Sequence, residues 1–241
     1  MKYSNHVAHY QADAELCDYF EENKFIKQAN RRRYESFNYL HAFKEKQRIL
    51  EIGAGGGPGL KYLKNKDVFY FTLDIPVKNL VGIKSKSDFP IWPVSGDVFK
   101  LPLKDNSMDV IILSEVLEHL EDPEEALVEI HRVLVPTGKV LISVPYKEKL
   151  VYQVCVHCNQ LTPKNAHFHS FDRAELRTHL GNSGLTVLKF LRINNKVTER
   201  LHINILLKFL PFKLWKIFDA LVNLILPKAS HVVVLAKKQD N

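Results

Sequence analysis

The stretch RILEIGAGGGPGL, residues 48–60, constrains this chain more than any other. A short apolar run enters a turn in which Gly53, Gly55 and Gly57 let the backbone bend sharply and approach a ligand without Cβ atoms in the way. Pro58 then presets the first turn of a helix. The runs VFYFTL (68–73), IWPVS (91–95), MDVIILS (108–114) and GKVLISV (138–144) follow, alternating with helical stretches. That alternation is the pattern of a parallel sheet covered on both faces. LTVLKFLRI and SHVVVLAKK supply a closing pair of strands, so the expected fold is α/β, a doubly wound, mostly parallel sheet of about seven strands.

Residues 8–45 are expected to form two helices before the sheet, with Arg31, Arg32 and Arg33 on their solvated side. DPEEALVEIHRVL reads as a helix capped by Asp122 that ends at Pro136-Thr137-Gly138, and DRAELRTHLGNSG as one capped by Asp172 that stops at Gly181 or Gly184. Two insertions, 146–170 and 194–228, interrupt the plan. At 241 residues the whole chain, 1–241, is expected to be one domain.

The formal charge of +7 is unevenly placed: residues 185–241 hold 10 Lys and Arg against 3 Asp and Glu, whereas residues 1–184 are balanced at 24 each. A basic segment that is also apolar points to an anionic membrane surface or an amphiphilic substrate before nucleic acid; an ordinary solvated face is the plainer reading. The opening residues lack the apolar core of a secretory leader. The three cysteines, Cys17, Cys155 and Cys158, suit a reducing cytoplasm, so a cytoplasmic protein with a membrane-surface contact is expected.

The first turn has an acid two residues before the first of three alternating glycines, unlike the G-x-G-x-x-G of nicotinamide sites. The Glu51 carboxylate would repel a pyrophosphate but can orient an ammonium group, directly or through water. Asp74 closes the second strand where an acid can accept both ribose hydroxyls; the alternative is a solvated turn aspartate. Asp97 follows the third strand, placed to accept an adenine amino group with Val98 against the ring. Ser114 and Glu115 end the fourth strand at the carboxyl edge where open α/β sheets bind ligands.

Taken together, ILEIGAGGGPG, TLDI and the run from SGDVFKLPL to LISVP resemble the class I S-adenosylmethionine-dependent methyltransferases, particularly the type 11 group, over about residues 45–146. That resemblance implies a Rossmann-like methyltransferase fold and S-adenosylmethionine as cofactor. It also implies that Glu51, Gly53, Gly55 and Gly57 hold the methionine end, Asp74 the ribose, Ile75 the adenine face, Asp97 and Val98 the adenine edge, and Ser114 the floor near the sulfonium. The segment between Asp74 and Ile91 is short and Lys-rich for a crossover helix. His119 is a candidate base or acceptor-binding group, although such a histidine more often caps or packs. Methyl transfer needs alignment and exclusion of water rather than an obligatory catalytic side chain.

In the first insertion Cys155-x-x-Cys158 precedes His167-x-His169, a set that can hold a structural zinc ion, with His157 a further candidate. A redox pair and unrelated surface residues are the alternatives. Similar segments occur in some type 11 methyltransferases, and that resemblance implies a structural role. In PFKLWKIFDALVNLILP the residues Lys213, Lys216, Asp219 and Asn223 share one arc, opposite a broad apolar arc that holds Phe212, Trp215, Phe218, Leu221 and Leu224. Such a helix completes the core, lines a pocket for an apolar chain, or rests on a membrane. The expected function is methyl transfer to a small-molecule or lipid-like acceptor, with peripheral membrane contact through 201–226. The alternatives are an RNA methyltransferase using the basic segment, disfavoured because that segment lacks base-stacking aromatic and Arg residues, and an inactive binding subunit.

Overall fold

The computed structural model describes residues 5–156 and 159–239. Two helices, α1 (His6–Leu16) and α2 (Lys24–Leu40), precede the first strand, β1 (Arg48–Ile52). A short helix, α3 (Leu60–Leu63), leads to β2 (Phe69–Asp74), and α4 (Val77–Lys86) crosses to β3 (Ile91–Ser95). The Lys-rich segment after Asp74 is therefore a helical crossover after all, with Asn79, Leu80 and Ile83 buried. Then come β4 (Met108–Ser114), a 3₁₀ turn at Leu117–His119, α5 (Pro123–Val133) and β5 (Leu134–Pro145). The fifth strand starts four residues before Gly138, so the helix ends earlier than Pro136; its Asp122 cap accepts from the Glu124 and Glu125 amides.

The sheet order is β3-β2-β1-β4-β5 followed by the last two long strands, β9 (Ala229–Lys238) and β8 (Leu185–Asn195). The first five strands run parallel. β9 is antiparallel to both of its neighbours. This is the seven-stranded, mostly parallel sheet expected. Its central strands are apolar on both faces because both faces are covered. Leu50, Ile52, Ile111 and Leu113 point into one core with α5 and α6 (Arg173–Asn182). Ile49, Val110 and Ile112 point into another with Tyr34, Phe37 and Trp215.

The arginine run departs from expectation. Three consecutive residues at 100° each span more of a helix than one solvated face holds, and α2 lies on the sheet. Arg32 is fully buried, with its guanidinium 4.6 Å from the Trp215 ring and donating to the Leu207 and Leu210 carbonyls at 3.0 and 3.2 Å. Arg33 is buried as well, and Arg31 and Arg32 share Glu35, each at 2.8 Å.

The first insertion contains a small hairpin, β6 (Tyr152–Val154) and β7 (Leu161–Pro163). The second follows β8 with α7 (Lys196–Arg200), α8 (Ile203–Leu206) and α9 (Phe212–Ile225). α9 turns a mixed face inward: Trp215, Asp219 and Asn223 are buried, whereas Leu224 and Ile225 are 76% and 77% exposed and Leu214, Ile217 and Leu221 lie open beside them. Polar groups at the end of β8 draw that face inward. Asn223 Nδ2 donates to the Asn194 carbonyl at 3.1 Å, and Asn195 Nδ2 donates to Asn223 Oδ1 at 2.9 Å and to the Leu226 carbonyl at 2.8 Å. Burial pushes the Asp219 carboxyl up to about 7. No helix among the described residues is long and apolar enough to cross a membrane.

Candidate functional site

A cavity of about 490 Å³ opens at the carboxyl ends of the parallel strands, within the size range of small-molecule sites and where open α/β sheets bind ligands. Its floor is Ile52, Gly53 and Gly55 after β1, Asp74 and Ile75 after β2, Val98 beyond β3, and Glu115, Val116 and His119 beyond β4. Its roof comes from outside the sheet: His9, Tyr10 and Asp13 of α1, Tyr19, and the hairpin residues Thr162 and Pro163. The Tyr19 hydroxyl donates to Asp13, and Lys78 Nζ donates to the Ala14 carbonyl at 2.7 Å, tying α1 down.

The first turn is built as the glycines suggest. Gly53 has φ +66°, and a Cβ there would stand 2.6 Å from Val116 Cγ2, so this position needs glycine on both conformational and steric grounds. Asp74 staples the turn: its Oδ2 accepts from the Gly55 amide at 2.9 Å and from Asn79 Nδ2 at 3.2 Å, and its Oδ1 accepts from the Ile75 amide at 2.9 Å. Burial raises its carboxyl above the ordinary value, against those hydrogen bonds.

Four expected residues stand elsewhere. Glu51 is buried and does not reach the cavity wall; its two oxygens accept from the Tyr34 and Tyr70 hydroxyls. A Cβ on Gly59 would lie 2.1 Å from Glu51 Oε2, so the acid packs beneath the start of α3, and burial pushes its carboxyl up to about 7. Gly57 packs on Ile83 rather than lining the cavity. Asp97 is taken by α1: its Oδ2 lies 2.6 Å from His6 Nε2, and its Oδ1 accepts from the Phe99 amide at 3.1 Å. Ser114 Oγ is 3.3 Å from Ser143 Oγ, behind the wall.

Glu115 is the charged group the sequence reading undervalued. It sits in the left-handed region at φ +56°, pairs with Arg33 at 3.0 Å and His231 at 3.1 Å, and accepts from Ser143 Oγ at 3.0 Å. Burial opposes its charge, yet Arg33 and His231 hold its carboxyl well below the usual carboxylate range. Arg33 was legible only as one of three arginines too many for one face. His119 is neutral at ordinary pH, its pKa pushed down to about 4 by burial and by His167.

Of the expected zinc ligands, His167 and His169 take different partners. His167 Nδ1 lies 2.5 Å from Glu148 Oε2, and its ring meets that of His119 edge-on at 4.7 Å. His169 stacks on Phe171, with its Nε2 3.4 Å from the Glu121 carbonyl. Cys155 follows β6, while His157 and Cys158 lie outside the described residues.

Residues 50–142 match the family model described as Methyltransferase domain. A demethylmenaquinone methyltransferase of Renibacterium salmoninarum is 32% identical over 98 residues, 40% of each chain. A Mycolicibacterium smegmatis protein named as an S-adenosylmethionine-dependent methyltransferase is 29% identical over 141 residues, 58% of this chain and 52% of its own. The chain thus spans about half or less of the length of these curated relatives. Among solved structures, a Haloferax volcanii chain from the complex between the Trm112 methyltransferase activator and its methyltransferase partner superposes with a TM-score of 0.64 at 20% identity, covering 99% of this chain and 100% of its own. The match over residues 50–142, the strand order and the glycine turn support a class I S-adenosylmethionine-dependent methyltransferase, type 11-like.

Proposed function

We propose that this protein transfers a methyl group from S-adenosylmethionine to a small-molecule or lipid-like acceptor by in-line displacement. The carrying observation is that Gly53, Gly55 and Asp74 converge on one cavity roofed by α1 and the hairpin. The residues fit the cofactor: a carboxylate has about four lone-pair sites, and Asp74 uses three of them on Gly55, Asn79 and Ile75. The remaining one faces a ribose hydroxyl, with Ile75 and Val98 at the adenine. When bound, the cofactor supplies an electrophilic methyl group on a sulfonium. Glu51 acts under the turn as its support rather than as a direct partner of the amino group. Glu115 places a carboxylate in the wall, its charge balanced by Arg33 behind it. The roof excludes water, and His119 is a neutral imidazole at the acceptor end, available to accept a proton or a hydrogen bond.

A lipid-like acceptor, with peripheral membrane contact through 201–226, is favoured by the apolar face that α9 turns outward beside the exposed Lys208, Lys213 and Lys228. The demethylmenaquinone methyltransferase name of a relative points the same way. Labelled-methyl transfer onto lipid extract, small metabolites and RNA tests the reading. Label in the organic phase is expected, and label only in RNA would contradict it.

A further inference from the structure

The 3₁₀ turn after β4 and the first insertion meet at a cluster of which the methyl-transfer reading uses His119 alone, as a neutral acceptor in the metal-free chain. Glu118, His119 and His167 each offer a ligand atom, all within 4.8 Å of one another. A tetrahedral zinc ion with bonds to nitrogen and carboxylate oxygen of about 2.0–2.2 Å places its donors roughly 3.4 Å apart, so side-chain closure of up to about 1.4 Å completes the set.

Three further observations point to a ligand. First, Glu118 is 1% exposed, and neither of its carboxylate oxygens has a hydrogen-bond partner among the described residues. A buried carboxyl in that state carries its full desolvation penalty, and even the neutral acid would have nothing to donate to. Second, both imidazoles are oriented through the same nitrogen: His119 Nδ1 lies 3.2 Å from the Ala166 carbonyl oxygen and His167 Nδ1 2.5 Å from Glu148 Oε2. An Nδ1–H held by a carbonyl or a carboxylate is the usual support of a metal-binding histidine, and it leaves Nε2 of each ring to ligate. Third, the backbone fixes the two elements together, because the Glu118 carbonyl accepts from the Phe168 amide at 2.8 Å and the His169 amide at 3.3 Å.

We propose that Glu118, His119 and His167 bind a divalent metal ion of the zinc class, with Glu148 as the positioning residue behind His167. The ion joins the first insertion to the turn after β4 and so fixes the hairpin over the cavity. Three protein ligands are the count of a site that keeps one position for water or substrate, and His119 belongs to the cavity wall. The set contains no cysteine and so differs from the Cys155, Cys158, His167 and His169 set that spacing suggests.

The test is metal content of the full chain after equilibration with one equivalent of zinc sulfate and desalting, for wild type, Glu118→Gln, Glu148→Gln and Cys155→Ser, each checked for folding by circular dichroism. The expected result is about one zinc per wild-type chain, retained in Cys155→Ser and lost from Glu118→Gln. Glu148→Gln, at a partly exposed position that leaves the fold intact, should bind zinc about 10–100-fold more weakly. Cobalt substitution gives a second readout, with visible d–d bands and no intense thiolate charge-transfer band. A wild-type chain without zinc, zinc kept by Glu118→Gln, or a thiolate band in the cobalt form would each overturn the proposal.

Discussion

Trp215→Ala separates the two faces of α9. The indole is completely buried between α2 and the sheet, in the core that holds Tyr34, Phe37 and Ile193. Its N–H makes no hydrogen bond among the described residues, so truncation forfeits packing and the contact with Arg32 but no hydrogen bond. A buried Trp→Ala change costs about 3–5 kcal/mol. Loss of the Arg32 guanidinium stacked at 4.6 Å adds roughly 0.5–2 kcal/mol. We therefore expect urea unfolding to show a loss of at least about 3 kcal/mol. The double variant Leu221→Ser/Ile225→Ser, on the exposed face, should change stability by no more than about 1 kcal/mol yet abolish co-sedimentation with anionic vesicles at low salt. A loss below about 1 kcal/mol for Trp215→Ala, or a larger loss for the double variant, would refute the packing described for this helix. A double variant that still sediments with the vesicles would remove the membrane reading.

Two further outcomes concern buried charge. Glu51 has its carboxyl raised to about 7 in the folded chain against an ordinary 4.5, so its protonated form is favoured by folding: stability is full below about 4.5, declines as pH rises to about 7, and is level above. Glu51→Gln should remove that decline and raise stability at pH 8 by up to about 3 kcal/mol, the shift converted at 1.36 kcal/mol per unit; an unchanged pH profile in urea melts would count against it. Glu115 has the opposite sign, since its lowered carboxyl gives stability that is present at neutral pH and lost as pH falls through its folded value. Arg33→Met should cost roughly 3 kcal/mol at pH 7 by leaving Glu115 with His231 alone and should flatten the acid side of the curve, and a cost within about 0.5 kcal/mol would show that pair to be unimportant.

The strands were legible because a strand buried on both faces must be largely apolar, as Ile49, Leu50 and Ile52 and the run Val110 to Leu113 are. Asp74 was legible because its place is fixed by a strand end and a turn only 19 residues away. What escaped depends on partners distant in the chain. Nothing near Glu51 announces that Tyr34 and Tyr70 will bracket it. The inward turn of Asp219 and Asn223 follows from Asn194 and Asn195 at the end of β8, so Leu221 and Leu224 of the apolar arc face outward while Trp215 is buried, a division that spacing alone left open. The seating of α1 on the cavity was hidden because that helix buries only Ala14 and has no apolar stripe; polar contacts such as His6 to Asp97 hold it. The cysteine and histidine spacing suggested one metal set, whereas His167 joins residues of the 3₁₀ turn nearly fifty positions earlier.

Calorimetric titration of S-adenosylmethionine into wild type and Asp74→Ala tests the central claim most directly, because Asp74 both staples the turn and faces the cavity. The wild-type chain should bind, and the variant should bind more weakly by about 1.5–3 kcal/mol, the range for a hydrogen bond to a charged group. Equal affinity in a folded variant, or no heat with the wild type, would contradict the assignment of this cavity to the cofactor.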